Sequence, residues 1–208
     1  MTRIKICGLR RPEDAEVLNR LAVDYAGFVL APGKRRVTPR QALEIKKELS
    51  PLIRTVGVYV NAPLSDIVEA VMIGLIDLVQ LHGDEDAHYI RRLRAEMALP
   101  IVKACGVRST KDVRAANLLD CDYLLLDTYT KERGGSGRVF DYRLIPPLSR
   151  PFFLAGGLRA ENVRVALARK PFAVDASSGL ETDGYKDEAK VTAFVEAVRQ
   201  YDAEGKRK

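Results

Sequence analysis

The sequence predicts an α/β protein folded as a single (β/α)8 barrel, and three observations carry that expectation. Eight short, β-rich apolar runs recur at fairly even spacing along the 208 residues. Most are continuously apolar rather than alternating, as strands covered on both faces of a parallel sheet are. Stretches with helical periodicity and their own start signals lie between the runs. An open doubly wound sheet is the runner-up, weakened because no G-x-G-x-x-G follows the first run.

In order, the first run is "RIKIC" (3–7), and Pro12-Glu13-Asp14 opens the helical "EDAEVLNRLA". "YAGFVL" (25–30) precedes Thr38-Pro39, a capping threonine with proline at the first helical position before "RQALEIKKEL". "RTVGVYV" (54–60) leads to Ser65-Asp66 and "IVEAVMIGL", and "DLVQLH" (77–82) to Asp84–Asp86 and "AHYIRRLRAEM". "IVKAC" (101–105) is followed by Ser109-Thr110 and "KDVRAANLL". The sixth unit departs: after "YLLLD" (123–127) a long loop, "TYTKERGGSGRV", precedes a short helical "DYRLIPPL". "FFLAG" (152–156) and "FAVDA" (172–176) complete the strands. The final helix, "KDEAKVTAFVEAVRQY", carries Val191, Phe194, Val195 and Val198 on one stripe. One domain over 1–208 is expected, with 201–208 a frayed tail.

Composition fits that picture. At 47% hydrophobic residues the chain supports one substantial core. No apolar run approaches the roughly 18–20 residues of a membrane span, and "MTRIKICG" lacks the features of a signal peptide. A cytoplasmic protein without membrane partners is expected. Cys7, Cys105 and Cys121 are odd in number and form no C-x-x-C, which argues for reduced thiols over a disulfide framework or structural zinc. The net charge of +6 is spread along the chain, and no basic-aromatic module points to nucleic acid.

In such a barrel the chemistry sits where strands end at their C-termini. Those ends supply Cys7, Arg35 in the loop after the second strand, Asn61, His82, Lys103, Asp127, Gly156-Gly157 and Asp175 with Ser177-Ser178-Gly179. Glycines and serines after the last two strands favour a phosphate cradle at Gly156, Gly157, Ser177, Ser178 and Gly179. The plainer alternative is a tight turn and a capped short helix. Asp127 ends a strongly apolar run, so it is either used, desolvation favouring the protonated form a general acid needs, or salt-bridged to Lys103 or Lys5. Asp175 reads first as structural, satisfied by its neighbouring serines. His82 has no second ligand within reach, since His88 falls inside the following helix, and is expected to be structural or positioning rather than a metal ligand. The glycine-rich 134–141 stretch is either a mobile cover or a passive loop.

Eight segments in order, "KICGL", "GFVLAPGKRRVTP", "VGVYVN", "VQLHGDE", "LLLDT", "GGSGRVFD", "LAGGLRAENV" and "FAVDASSGLE", resemble the phosphoribosylanthranilate isomerase family. The resemblance implies a phosphate-binding barrel and a cofactor-free, metal-free Amadori rearrangement of a phosphorylated sugar substrate in tryptophan biosynthesis, by a monomer or homodimer. It implies Cys7 as general base, Asp127 as general acid, and Arg35, rather than Arg36, on the anthranilate carboxylate, with His82 and Asp175 positioning the substrate. A thiol of pKa about 8.5 is only slightly ionised at pH 7, so Cys7 needs a cation or helix N-terminus nearby; Lys5 and the helix starting near Pro12 are the candidates. Gly33-Lys34, Val139 and Tyr142 depart from the family's usual residues.

Two other classes remain in view. A ribulose-phosphate epimerase requires a metal constellation missing from this sequence, and an indole-glycerol-phosphate synthase requires lysine and glutamate at strand ends. A non-catalytic phosphate-binding barrel leaves the Cys7 and Asp127 pair without a purpose.

Overall fold

The computed structural model describes residues 1–129 and 139–206. Along the chain run β1 (Arg3–Cys7), α1 (Pro12–Leu21), β2 (Tyr25–Val29), α2 (Pro39–Glu48), β3 (Arg54–Tyr59), α3 (Leu64–Met72), β4 (Leu78–Leu81) and α4 (Ala87–Glu96). There follow β5 (Ile101–Val107), α5 (Thr110–Ala116), β6 (Tyr123–Thr128), β7 (Phe152–Leu154), α6 (Val163–Leu167), β8 (Ala173–Ala176), β9 (Glu181–Thr182), β10 (Tyr185–Lys186) and α7 (Glu188–Gly205). Strands β1 to β8 close into a barrel in sequence order. Closure comes from β8 pairing in parallel with β1, Lys5 opposite Asp175, which rules out the open sheet.

Strand alternation sorts the side chains into two cores. Tyr25, Val56, Leu78, Val102, Leu125, Phe153 and Ala173 make one buried cluster inside the barrel. Tyr25 and Tyr123 each meet Phe153 edge-on at 5.5 Å, giving the interior an aromatic floor. Residues of the opposite parity, among them Ile4, Ile6, Phe28, Leu124 and Val174, pack outward in a second cluster with the helices. The α7 stripe of Val191, Phe194, Val195 and Val198 joins that cluster, each such burial contributing about 1.5–3 kcal/mol.

The helix starts follow local chemistry. Thr38 caps α2 by a reciprocal pair: Gln41 N–H donates to its hydroxyl (3.2 Å) and its own N–H donates to Gln41 Oε1 (2.9 Å). Asp86 caps α4 by accepting from Tyr89 N–H at 2.8 Å. Two local expectations are corrected and one element is new. "DYRLIPPL" forms only a 3-10 turn at Tyr142–Leu144, because Pro146 and Pro147 have no N–H with which to continue a helix. The tail expected to fray from 201 continues α7 to Gly205, because Asp202 accepts from Thr2 N–H (2.6 Å) and hydroxyl (3.0 Å) and Glu204 pairs with Arg164. An unexpected antiparallel hairpin, β9–β10, turns at Asp183-Gly184, whose φ angles of 52° and 81° suit the mirror-image turn that joins two-residue hairpins. The 134–141 cover lies mostly outside the described residues. Among those described, no helix is long and apolar enough to cross a membrane.

Candidate active site

The site is built by continuing the interior parity past the apolar floor. Two residues beyond Leu125 comes Asp127, two beyond Ala173 comes Asp175, and Leu78 leads through Gln80 to His82, just past the end of β4. On β1 the same alternation aims Lys5 and Cys7 inward. A hydrophobic barrel interior thus becomes a polar mouth where the strands end.

Lys5 is 1% exposed and its ammonium donates to both Asp175 oxygens at 3.0 Å. This corrects the expectation that neighbouring serines satisfy Asp175: the cross-strand register places Lys5 directly against it. Burial opposes the Lys5 charge, but Asp175 and Cys7 outweigh it and its pKa is raised. Burial pushes the Cys7 thiol up, Lys5 pulls it down, Asp175 adds to the rise and Lys186 counters it, leaving the thiol above its ordinary value. Of the two candidates near Cys7, Lys5 is the one whose charge bears on it. The start of α1 is held by its own Asp14, which accepts from Arg10 N–H at 2.9 Å and Arg11 Nε at 3.1 Å.

Asp127 is paired with neither Lys103 nor Lys5 in this structure. Its Oδ1 accepts from Thr128 N–H at 2.7 Å, and its Oδ2 lies 3.6 Å from His82 Nε2. Gln80 Nε2 sits 2.9 Å from His82 Nδ1; with the amide donating, the ring's proton is left on Nε2, facing Asp127. Asp175 feels the charges of Asp127 and His82 as well as Lys5, so the carboxylates and the thiol share one electrostatic field across the mouth. Lys103 instead donates to Glu85 at 2.9 Å, and Glu85 also accepts from Asn61 N–H (2.7 Å) and Gly83 N–H (2.9 Å). That buried group ties the loops after β3 and β4 together behind His82. Among the described residues, no three His, Cys, Asp or Glu side chains gather as metal ligands, and His88 lies within α4.

Arg35 is partly buried while Arg36 is exposed. Its Nε and Nη2 both donate to Glu181 at 2.7 Å, which leaves Nη1 of the fork for another acceptor. Gly8, at φ +83°, makes room for it, since a Cβ there would come within 2.8 Å of Arg35 Cδ. Lys186, 3% exposed, donates to Glu181 at 2.7 Å and to Ser177 O at 3.3 Å. Among the departures from the resemblance, Tyr142 is buried and stacks edge-on against Phe140 at 5.0 Å, Val139 is exposed, and Gly33 has open space around it.

The two small-residue loops meet each other. Gly156 and Gly157 take φ of +94° and +60°, and Asn162 Nδ2 donates to Gly157 O at 2.9 Å. Ser177 Oγ donates to Cys7 O at 2.9 Å, anchoring the β8 loop to β1, and Ser178 begins a 3-10 turn, Ser178–Leu180, with no side-chain cap from Ser177. A Cβ on Gly179 would overlap the Leu158 carbonyl oxygen, an atom that cannot swing aside. Gly179→Ala is expected to cost about 1–3 kcal/mol as overpacking, lowering Tm by roughly 2–4 °C per kcal/mol. It is also expected to raise KM for a phosphorylated substrate. A thermal melt beside steady-state kinetics checks this, and unchanged values in both would show the two loops are not set against each other.

Lys5, Gln80, Glu85, Glu181 and Lys186 are members of the site that strand-end reading missed as site residues, although Lys5 had been considered for tuning Cys7. The Asp-Gly pair in "ETDGYK" was the signal for the hairpin that delivers Glu181 and Lys186. Nothing local marked Glu85.

A family model described as N-(5'-phosphoribosyl)anthranilate (PRA) isomerase matches residues 4–197. An N-(5'-phosphoribosyl)anthranilate isomerase of Endomicrobium trichonymphae is 44% identical over 201 residues, covering 96% of this chain and 99% of that one. The crystal structure of the phosphoribosyl anthranilate isomerase of Thermotoga maritima superposes with a TM-score of 0.87 at 38% identity, covering 96% and 100% of the two chains. A further isomerase structure, solved in complex with reduced 1-(o-carboxyphenylamino)-1-deoxyribulose 5-phosphate, gives 0.80 at 32% identity over 96% and 100%.

Proposed function

Because this chain belongs to the N-(5'-phosphoribosyl)anthranilate isomerase family, we propose that it carries out the family's reaction with Cys7 and Asp127 as its proton-transfer pair. The chain isomerises N-(5-phosphoribosyl)anthranilate to 1-(2-carboxyphenylamino)-1-deoxyribulose 5-phosphate in tryptophan biosynthesis. In finer terms it is an intramolecular oxidoreductase: C1′ is reduced and C2′ oxidised within one molecule.

Asp127 gives a proton to the furanose ring oxygen as the C1′–O bond breaks, leaving a Schiff base at C1′. The electron-poor C1′ acidifies the C2′ proton, which the Cys7 thiolate takes, forming an enolamine. The C2′ hydroxyl then gives its proton to the Asp127 carboxylate while C1′ takes the proton held by the Cys7 thiol, which yields the ketone and returns acid and base to their starting forms. Arg35 holds the anthranilate carboxylate with the free edge of its fork while Glu181 fixes the other edge. The loops at Gly156-Gly157 and Ser177–Gly179 receive the phosphate, and His82 and Asp175 position the sugar between acid and base.

One observation carries this assignment of roles: a thiol and a carboxyl group end inward-facing strands of one barrel mouth, linked electrostatically through Asp175. The test follows the loss of substrate fluorescence, with N-(5-phosphoribosyl)anthranilate generated in situ. Wild type is expected to turn over, and inactivity would overturn the reading. Arg35→Ala removes a charged hydrogen bond of about 1.5–3 kcal/mol, so KM is expected to rise by roughly 10–100-fold with a smaller change in kcat. An unchanged KM would remove Arg35 from the carboxylate site.

A further inference from the structure

The charges around Cys7 do not balance. Three cations bear on it, Lys5 on β1, Arg35 in the loop after β2 and Lys186 on β10, while of the carboxylates beside them Asp175 on β8 acts on the thiol and Glu181 on β9 pairs with Arg35 and Lys186. Asp175 is fully engaged by Lys5 through both oxygens. Glu181 Oε1 is divided between Arg35 Nε and Lys186, each at 2.7 Å. Asp127 and His82 face Asp175 from across the mouth, farther round the same rim. Lys186 is nearly sealed from solvent, and its other polar contact among the described residues, Ser177 O, belongs to the residue whose hydroxyl holds Cys7 O. A buried ammonium left with half a carboxylate is costly, and that cost falls if an anion forms beside it. The Lys186 charge bears on the thiol of Cys7, the residue whose carbonyl oxygen accepts from the same Ser177 that Lys186 touches.

We propose that Lys186 is a positioning residue for the isomerisation, its buried ammonium supplying counter-charge that eases ionisation of the Cys7 thiol in the free enzyme. This rests on the reading of Cys7 as the base. The Glu181–Lys186 pairing across β9–β10 sets how much of that charge the thiol feels, and the same Glu181 orients Arg35. Burial, with a smaller contribution from Arg35, draws the Lys186 ammonium below its ordinary value, while Glu181 and an ionised Cys7 oppose that fall, so thiolate and ammonium stabilise one another.

The test measures the rate at which iodoacetamide alkylates Cys7 as a function of pH, in substrate-free enzyme, by mass analysis of the peptide bearing Cys7. Lys186→Met is expected to slow alkylation at neutral pH by about tenfold or more, the change in thiolate produced by a one-unit shift. Lys186→Arg is expected to restore it to within a few-fold, with the pH profile of kcat/KM moving in step. Glu181→Gln frees Lys186 from its competing anion and is expected to speed alkylation, opposite in sign to Lys186→Met. Loosening of the fold would speed both, so superimposable profiles, or both variants changing in the same direction, overturn the proposal. If Lys186→Met does not fold, Glu181→Gln decides against the other buried thiol: faster alkylation of Cys7 with Cys121 unchanged supports the proposal, and Cys7 unchanged or slower, or Cys121 speeding with it, overturns it. Normal turnover by Cys7→Ala would instead remove Cys7 as base, a failure separate from that of Lys186.

Discussion

Cys7→Ala and Asp127→Asn are each expected to lower kcat/KM by about 10²–10⁴, the usual contribution of a positioned acid or base. Both substitutions leave the scaffold in place. Removing the Cys7 sulfur adds no atom to the site, where Gly27 already leaves the space a Cβ would take within 2.8 Å of Sγ. An asparagine at 127 still accepts from Thr128 N–H through its carbonyl oxygen, while the other side-chain atom loses the acidic proton that ring opening needs. The base is active as thiolate, and burial holds the Cys7 thiol above its ordinary value. Accordingly kcat/KM of wild type is expected to climb with pH through neutrality, and Cys7→Ala to lose that climb. Steady-state fluorescence assays with thermal melts check both; two folded variants turning over within a few-fold of wild type would remove the acid–base assignment.

Asp175→Leu is expected to destabilise the protein by about 3–5 kcal/mol, because it strands a buried lysine charge without its partner. Lys5 is 1% exposed, and its ammonium has both Asp175 oxygens at 3.0 Å. At roughly 2–4 °C per kcal/mol the melting temperature falls by on the order of 6–20 °C. The double variant Lys5→Met with Asp175→Leu removes both charges and keeps much of the volume, so most of the lost stability is expected to return. That recovery separates a charge penalty from a packing defect. A single variant melting within a degree or two of wild type would mean that water reaches the pair. The double variant is still expected to lose activity, because Cys7 then has lost Lys5.

The elements that were legible were those fixed by short-range periodicity. Continuous apolar runs located the strands, and the Thr38 and Asp86 caps located helix starts within a residue or two. Reading what ends each strand found Cys7, His82, Asp127 and Asp175, because alternation alone decides which residues face the interior. Arg35 came from the same strand-end reading, and its role on the carboxylate from the resemblance of "GKRRVTP". The short hairpin carrying Lys186 was passed over because two-residue strands have no periodicity to detect, although its Asp-Gly turn was visible.

Which charges meet was not legible. Lys103 and Lys5 both looked like partners for Asp127, yet Lys103 meets Glu85 and Lys5 meets Asp175, a residue 170 positions away. By itself, the sequence determined the eight-unit alternation and which groups the ends of the barrel strands present, since both follow from side-chain periodicity along single strands. Only the tertiary structure decided how those groups are wired. Closing the barrel fixes the register of β8 on β1, and burial then makes each ammonium take the nearest carboxylate, because an unpaired charge there costs more than any local preference supplies.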